Sequence, residues 1–561
     1  MWEIVVALLC FLVCWILVNP LTRWRYQSIP GPLGWPVLGN LAEFSSKGLP
    51  DLCQDLDAKY GTVCKFWLGS QPWVVVSDPE IARRLSLRFN TRFGFDALNM
   101  FPHKELALQN MGLFQVSDMQ LWRAARKAFD SSLLPPTSLA QYTQTMDSCV
   151  LRLVSKLKGV AASGQTVDMW RELGDMTLEV VGECAYGIDF HLVADGRQCS
   201  TQQQQLGVEL VEACRTIFKQ FSVSKASAYV PVQLLFPTLS PVVRLVANMF
   251  PDAGLQQALQ ARSLVGEVSR SLIAGWKAAH SSQSDQSPEG APSNQARPPP
   301  THAGSGAGPT HAGSGAGSPK TQAAASVCQR SFLSALLAGR REGLGGGAEG
   351  QSVRHLDDAE MVEQALTFLL AGYETTANTL AFVIYMLAVH PGAEARLVQE
   401  VDAFGRSRAL DTSDLDQFPY VGAVVKETLR LHSPAGFTTR KALHRVQVQG
   451  KTIPRQAHIH TIHTSERFWP RASEFLPERF LPEGESTLGP KTASAHMPFG
   501  TGARMCPGYK FAQQEAKIAL VRLFQSFTFT LAPGMPKVPR TVTGLTTGPA
   551  DGVPVVVHRR T

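Results

Sequence analysis

The chain lacks the devices that organise many small or nucleic-acid-binding proteins. Its ten cysteines stand at irregular spacings with no C-x-x-C pair among them, which argues against a zinc ribbon or a disulfide framework. Charge of one sign is also scarce. The 53 Lys and Arg against 46 Asp and Glu leave +7 over 561 residues, too dilute to suggest nucleic-acid binding. No domain-scale repeat is present. Gly345-x-Gly347-x-x-Gly350 spells a dinucleotide fingerprint, but that motif needs a preceding strand, and the SFLSALLAGRR before it reads as helix, so the run is a turn. What the chain does have is apolar sequence, 44% of its residues, enough for one large core with appendages.

The first apolar run, IVVALLCFLVCWILV from Ile4 to Val18, can just span a bilayer. Asn19-Pro20 closes it and Arg23 and Arg25 follow it, whereas a cleaved signal peptide, the alternative, wants positive charge before the run and small residues after it. Residues 1–20 therefore read as one uncleaved transmembrane anchor, with the body of the protein on the cytosolic side. Residues 21–45 form a hinge in which Ile29-Pro-Gly-Pro-Leu-Gly-Trp-Pro-Val-Leu-Gly39 makes a stiff, non-helical connector. The remaining body, 46–561, is expected to be mainly α with a small β region. Helical periodicity runs through 122–160, 170–188, 205–222 and 255–279, and β-branched alternation marks 72–76, 446–453 and 553–558. Residues 281–326 interrupt it, rich in Ser, Gly, Pro, Gln and Ala, with Pro-Thr-His-Ala-Gly-Ser-Gly-Ala-Gly at 300–308 and again at 309–317. This stretch predicts a disordered surface insertion, its His302 and His311 solvated and not metal ligands.

The sharpest local pattern is Phe499-Gly-Thr-Gly502-Ala-Arg504-Met-Cys506-Pro-Gly508. Glycine lets backbone approach a flat ligand, and a loop running into a helix over 509–524 supplies N–H groups and a positive dipole end to temper a thiolate. The other nine cysteines read as small buried hydrophobes. On this motif the sequence resembles the cytochrome P-450 family, from the anchor to the last strand with only the 281–326 insertion outside the likeness. The resemblance implies the cytochrome P-450 fold preceded by one transmembrane helix, haem b (iron protoporphyrin IX) as cofactor, and Cys506 as its iron ligand with Phe499 beside it. Ala371-Gly372-Tyr-Glu374-Thr375-Thr376 lies within a helical segment from Met361 to Val389. By resemblance this helix crosses above the haem, Gly372 leaves room for oxygen, and Glu374 and Thr375 deliver protons; the plain alternative is a core helix with Thr back-bonded and Glu facing solvent.

The same resemblance makes Glu427, Arg430 and Arg479 a buried structural triad, and assigns the haem carboxylates to Trp122, Arg126, Arg440 and Arg504. His458-x-His460-x-x-His463 has strand spacing for two ligands but no acidic or cysteine partner to complete a zinc set. Tyr229 to Phe250 is apolar and proline-punctuated, either core or a lid that dips into the bilayer. Gly112-Leu-Phe, Ala185-Tyr-Gly-Ile-Asp-Phe190 and Gln399-Glu-Val-Asp-Ala-Phe-Gly405 look most like the clan holding thromboxane synthase, steroid and drug hydroxylases and the plant carlactone oxidases. The implied activity is insertion of one oxygen atom from O₂ into a lipophilic small molecule, terpenoid, sterol or fatty-acid-like, at the endoplasmic reticulum membrane. Since no flavin-type domain is visible, electrons would come from a separate NADPH-cytochrome P-450 reductase. A haem-thiolate isomerase or dehydratase acting on a peroxide and a non-enzymatic haem carrier or sensor are the alternatives, and the acid–threonine pair favours the monooxygenase.

Overall fold

The computed structural model describes residues 22–35, 38–43, 49–69, 71–89, 112–114, 116, 118–187, 192, 202–219, 227–235, 239–284, 331–334, 336, 356–454, 458–462, 466–486, 490–543 and 546–560. The expected anchor, the tandem repeat, the Gly345–Gly350 run and His463 lie outside them. The body is mainly helical. Its principal helices are α1 (Leu49–Tyr60), α2 (Pro79–Arg88), α3 (Met119–Leu133), α4 (Pro136–Ser163), α5 (Met169–Tyr186), α6 (Gln202–Lys219), α7 (Tyr229–Leu235), α8 (Ser240–Met249), α9 (Ala253–Ser284), α10 (Asp358–Val389), α11 (Pro391–Phe404), α12 (Pro419–Leu431) and α13 (Tyr509–Ser526).

Local chemistry sets their ends. Asp78 accepts from Glu80 N and Ile81 N to open α2, Asp118 does the same with Gln120 N and Leu121 N for α3, and Asp357 with Glu360 forms a reciprocal box at α10. The periodic stretch over 122–160 is two helices, not one. Pro135 and Pro136 follow Leu134, and proline biases the residue before it away from the helical region while fitting the first turn of the next helix, where Pro136 sits.

The β region comprises β1 (Val63–Leu68), β2 (Gln71–Val76), β3 (Thr166–Asp168), β4 (Phe437–Lys441), β5 (Val446–Val448), β6 (Lys451–Ile453), β7 (His458–Ile462), β8 (Phe527–Leu531), β9 (Thr541–Thr543), β10 (Thr547–Pro549) and β11 (Pro554–Arg559). One sheet has the order β1-β2-β7-β4, with β2 and β7 parallel and the other pairs antiparallel. A second runs β3-β11-β8, and β5-β6 and β9-β10 are hairpins. Gln449 and Gly450, both at positive φ, make the tight turn of β5-β6. The hinge packs on β1. Lys65 Nζ donates to Tyr26 O at 2.7 Å and to Ile29 O at 2.5 Å, while Arg23 donates to Leu33 O, Gly34 O and Trp35 O and lies 4.9 Å above the Trp67 ring.

Helix α10 is the centre of the body. From Glu360 to Leu387 almost every face is covered, with α5, α9, α12 and α13 packed around it. No single described helix is long and apolar enough to cross a membrane; α10 and α11 together pass by composition but bend by 112°. An aromatic run ties three further segments to this beam: Phe129 (α3) lies 4.7 Å from Phe332, Phe332 stacks on Phe368 (α10) at 4.6 Å, and Phe368 meets Phe511 (α13) edge-on at 5.7 Å. Such pairs add about 0.5–1.5 kcal/mol each beyond the area they bury. Phe511 stands five residues past Cys506, so α10 and the cysteine loop are held in one frame.

Candidate active site

Residues 497–508 form a closed loop. Cys506 N donates to Phe499 O at 2.9 Å, Gly500 N to Met497 O at 2.9 Å and Met505 N to Gly502 O at 3.0 Å. Gly502 has φ +75°, and a Cβ there would stand 2.8 Å from Ser86 O, so both conformation and crowding demand glycine. The loop delivers Cys506 just before α13, whose first turn carries unsatisfied N–H groups. Among the described cysteines, Cys53, Cys64, Cys149, Cys184 and Cys214 are buried and Cys506 is not. Burial pushes the thiols of Cys64 and Cys214 up to about 12, and raises those of Cys53, Cys149 and Cys184 as well. Those five keep their protons. Cys506 is the one described thiol that is not fully buried.

Cations gather on this loop from three directions. Arg126 on α3 donates to Met505 O and Ala503 O while pairing with Asp130 at 2.8 Å. Arg440 on β4, fully buried, donates to Thr438 Oγ1 and Thr439 O at 2.9 Å and to Thr501 O at 3.2 Å. Arg504 donates to Leu113 O at 3.3 Å and Val116 O at 3.2 Å, and its guanidinium lies 4.4 Å from the centre of the buried Trp122 ring. That stacking is worth about 1–2 kcal/mol where water is excluded. Two buried arginines and one half-buried arginine held beside a reachable thiol in a glycine cradle suit a flat, dianionic porphyrin with a soft metal.

The segment 112–116 links this loop to α10. Leu113 N donates to Gln364 Oε1 of α10 at 2.9 Å, and a Cβ on Gly112 would collide with Thr367 Oγ1. Along α10 one stripe stays open: Thr367, Leu370, Ala371, Glu374 and Thr375, spaced as one helical face, are half-buried or exposed where their neighbours are covered. Thr375 Oγ1 donates to Ala371 O at 2.7 Å, the back-bond considered from the sequence, yet the residue remains on the open stripe. Glu374 does not face bulk solvent. Burial drives its carboxyl up to about 7, against the pull of a hydrogen bond from Thr546, and its Oε2 has no hydrogen-bond partner. Gly372, half-buried beside this stripe, also serves packing. A Cβ there would meet Val181 of α5 at 2.7 Å, so this glycine permits helix packing, and Ala371 is the small residue of the stripe.

Comparison with known proteins agrees with this geometry. A family model described as Cytochrome P450 matches residues 29–263 and 319–552. The chain belongs to the cytochrome P450 family. It is therefore an enzyme of the P450 monooxygenase class, whose members bind haem b through a cysteine thiolate. Cytochrome P450 3A28 of Bos taurus is 26% identical over 90% of this chain and 85% of its own length. Thromboxane-A synthase of Rattus norvegicus is 26% identical over 94% and 91%. The unmatched gap, 264–318, contains the tandem repeat.

Other residues singled out from the sequence have these places in the structure. Glu427 accepts from Arg430 Nε at 2.7 Å and Nη2 at 2.9 Å, from Arg479 Nε at 3.2 Å and from Leu476 N at 2.8 Å, all three side chains buried. His458 and His460 lie on β7 at alternate positions, and among the described residues no group of three His, Cys, Asp or Glu could hold a metal ion. Tyr229 to Phe250 contains α7 and α8, with Val242, Leu245, Met249 and Phe250 exposed and Val243 and Ala247 buried. Thr546 was not singled out by sequence reasoning, because it meets Glu374 from a hairpin far along the chain.

Proposed function

We propose that this chain is a membrane-anchored haem-thiolate monooxygenase that inserts one atom of O₂ into a lipophilic small molecule, with Cys506 as the iron ligand. The observation that carries the reading is Cys506 itself, the one described cysteine that is not fully buried, in a glycine loop beset by Arg126, Arg440 and Arg504 at the start of a helix. When bound there, haem supplies activation of dioxygen. The residues of the chain do the rest. N–H groups of the loop and the α13 terminus temper the thiolate's charge, while Trp122, Arg126, Arg440 and Arg504 hold the propionates and Phe499 covers the sulfur. Glu374 and Thr375, on the open stripe of α10, bring protons from the protein side: the acid titrates close to neutral pH, where it can both take and give a proton.

Residues 1–20 serve as the anchor, 21–45 as the hinge and 46–561 as the catalytic body with a disordered insertion at 281–326, placing the body on the cytosolic side of the endoplasmic reticulum membrane. The exposed stripe Val242, Leu245 and Met249 with Phe250, and Trp24, Leu33 and Trp35 in the hinge, supply apolar surface for the bilayer. Electrons come from a separate NADPH-cytochrome P-450 reductase. Similarity at the same level to thromboxane-A synthases supports a second reading, rearrangement of a peroxide without O₂ or reductase; the Glu374–Thr375 pair favours the first.

The test is spectroscopic and then chemical. The reduced protein under carbon monoxide should show the thiolate-ligated spectrum, and Cys506→Ser should lose it. Product formation that needs O₂, NADPH and reductase identifies the monooxygenase, and turnover of a peroxide without them identifies the isomerase.

A further inference from the structure

A cleft of about 150 Å³ opens between α2 and the β5-β6 hairpin. Pockets that enclose a whole drug-sized molecule run to about 300–1,000 Å³, so this one takes a headgroup-sized moiety. Its floor is apolar: Ile81 and Leu85 of α2 and Val446 and Val448 of β5 line it and are buried. Its rim is cationic. Arg84 and Arg88 line it too, one helical turn apart and both exposed. Arg83 and Arg445, each next to a lining residue in the chain, are also exposed.

Among the described residues none of these four arginines has a carboxylate partner; Asp78 caps α2, and Glu80, one turn before Arg84, forms no ion pair with it. Arg88 Nε donates to His444 Nε2 at 2.9 Å, which fixes the guanidinium and leaves its other N–H groups for an incoming acceptor. Like charges one turn apart repel. An anion between Arg84 and Arg88 ends that repulsion, and the guanidinium fork matches phosphate oxygens. Gln449 adds a further donor to the lining. It holds φ +48° at a turn position where Asn is usual, and its Oε1 accepts from Thr62 Oγ1 at 3.3 Å, so its amide NH₂ is the group left for the cleft.

The occupant follows from what adjoins the cleft. Leu87 and Leu443 stand among the arginines, 60% and 44% exposed, and apolar side chains interleaved with cations suit an anionic bilayer surface. The floor residues share one core cluster with Tyr26 and Ile29 of the hinge, and Ser28 Oγ donates to Thr452 O of β6 at 3.4 Å. The cleft is thus joined to the segment that follows the proposed anchor. We infer that the cleft between α2 and β5-β6 binds the phosphate headgroup of an anionic phospholipid, with the first methylenes of the lipid on Ile81, Leu85, Val446 and Val448. The inference rests on the membrane anchoring of the proposed function and not on its haem chemistry. Another side of α2 carries Ser86, whose O would lie 2.8 Å from a Cβ on Gly502, so a lipid held on this helix sets the attitude of the cysteine loop to the bilayer.

The experiment titrates the haem-loaded full-length chain, held in phosphatidylcholine nanodiscs, with dihexanoyl phosphatidic acid, followed by phosphorus NMR line width. The parent should bind saturably. Arg84→Gln should weaken binding about five-fold, and Arg84→Gln with Arg88→Gln about 25-fold, with thermal unfolding near the parent's because both side chains are exposed. Lys158→Gln, which removes an exposed charge of α4, should bind as the parent does. Glycerol phosphate, the headgroup without acyl chains, should bind about ten-fold more weakly, having no methylenes to bury. Parent-like lipid binding in the double variant would overturn the inference. Glycerol phosphate or inorganic phosphate binding as tightly as the lipid would overturn it in favour of a free anion, and a double variant that binds lipid normally but loses reductase-driven turnover would overturn it in favour of an acidic protein partner. Retention of the chain in the neutral nanodiscs tests the anchor separately, since it does not depend on these arginines.

Discussion

Glu427, fully buried, and Glu374, half-buried, are both carboxylates on core helices, but they are met in opposite ways. Glu427 accepts four hydrogen bonds, three of them from two arginines, whereas Glu374 Oε2 is buried with no hydrogen-bond partner. Full pairing keeps a buried charge fixed and useful only for shape. Partial pairing leaves the acid near its titration point, which suits it to moving protons.

The strongest way to break this contrast is to unpair the first site. Glu427→Ala leaves Arg430 and Arg479 as uncompensated buried cations and should cost about 3–5 kcal/mol in denaturant unfolding, with haem retention falling in parallel. A loss below about 1 kcal/mol would show that the triad does not secure the region.

Next in size is the effect of pH at Glu374. A folded-state pKa near 7 lies above that of an unfolded glutamate, about 4.3, so between those values the folded protein binds the extra proton and its stability falls as pH rises. Glu374→Gln should match the parent at pH 4 and be more stable at pH 8, by up to about 3 kcal/mol. Thermal unfolding at the two pH values checks this, and a variant less stable than the parent at pH 8 would contradict it.

The smallest structural effect belongs to Thr375→Ala, which removes one hydroxyl bonded to Ala371 O and should shift stability by less than about 1 kcal/mol. Its consequence is functional: NADPH consumption persists while product falls and peroxide rises. Equal product per NADPH in variant and parent would take Thr375 out of proton delivery.

Much of this site was legible because its signals are local. The glycines around Cys506 are contiguous, and Glu427 and Arg430 lie one turn apart. Helix α10 announces itself by length. Strand β1 does not, because both its faces are buried and VCKFWL shows no alternation to read. The break after Leu134 was hidden by an apolar period that runs across two prolines. The packing role of Gly372 was not legible either, since it depends on Val181 of another helix. The contact between Asn378 and Thr546 was out of reach altogether, since the two are 168 positions apart and nothing in either neighbourhood points to the other.

The ring contact between Phe368 and Phe511 has a consequence for evolution. It joins the helix that bears the proposed proton donors to the helix that follows the thiol, independently of the apolar helices α7 and α8, the proposed route of approach for a substrate. Residues on those approach helices can change to admit molecules of new shape while the spacing of the reacting groups stays the same, so selectivity can diverge among descendants without the chemistry having to be rebuilt.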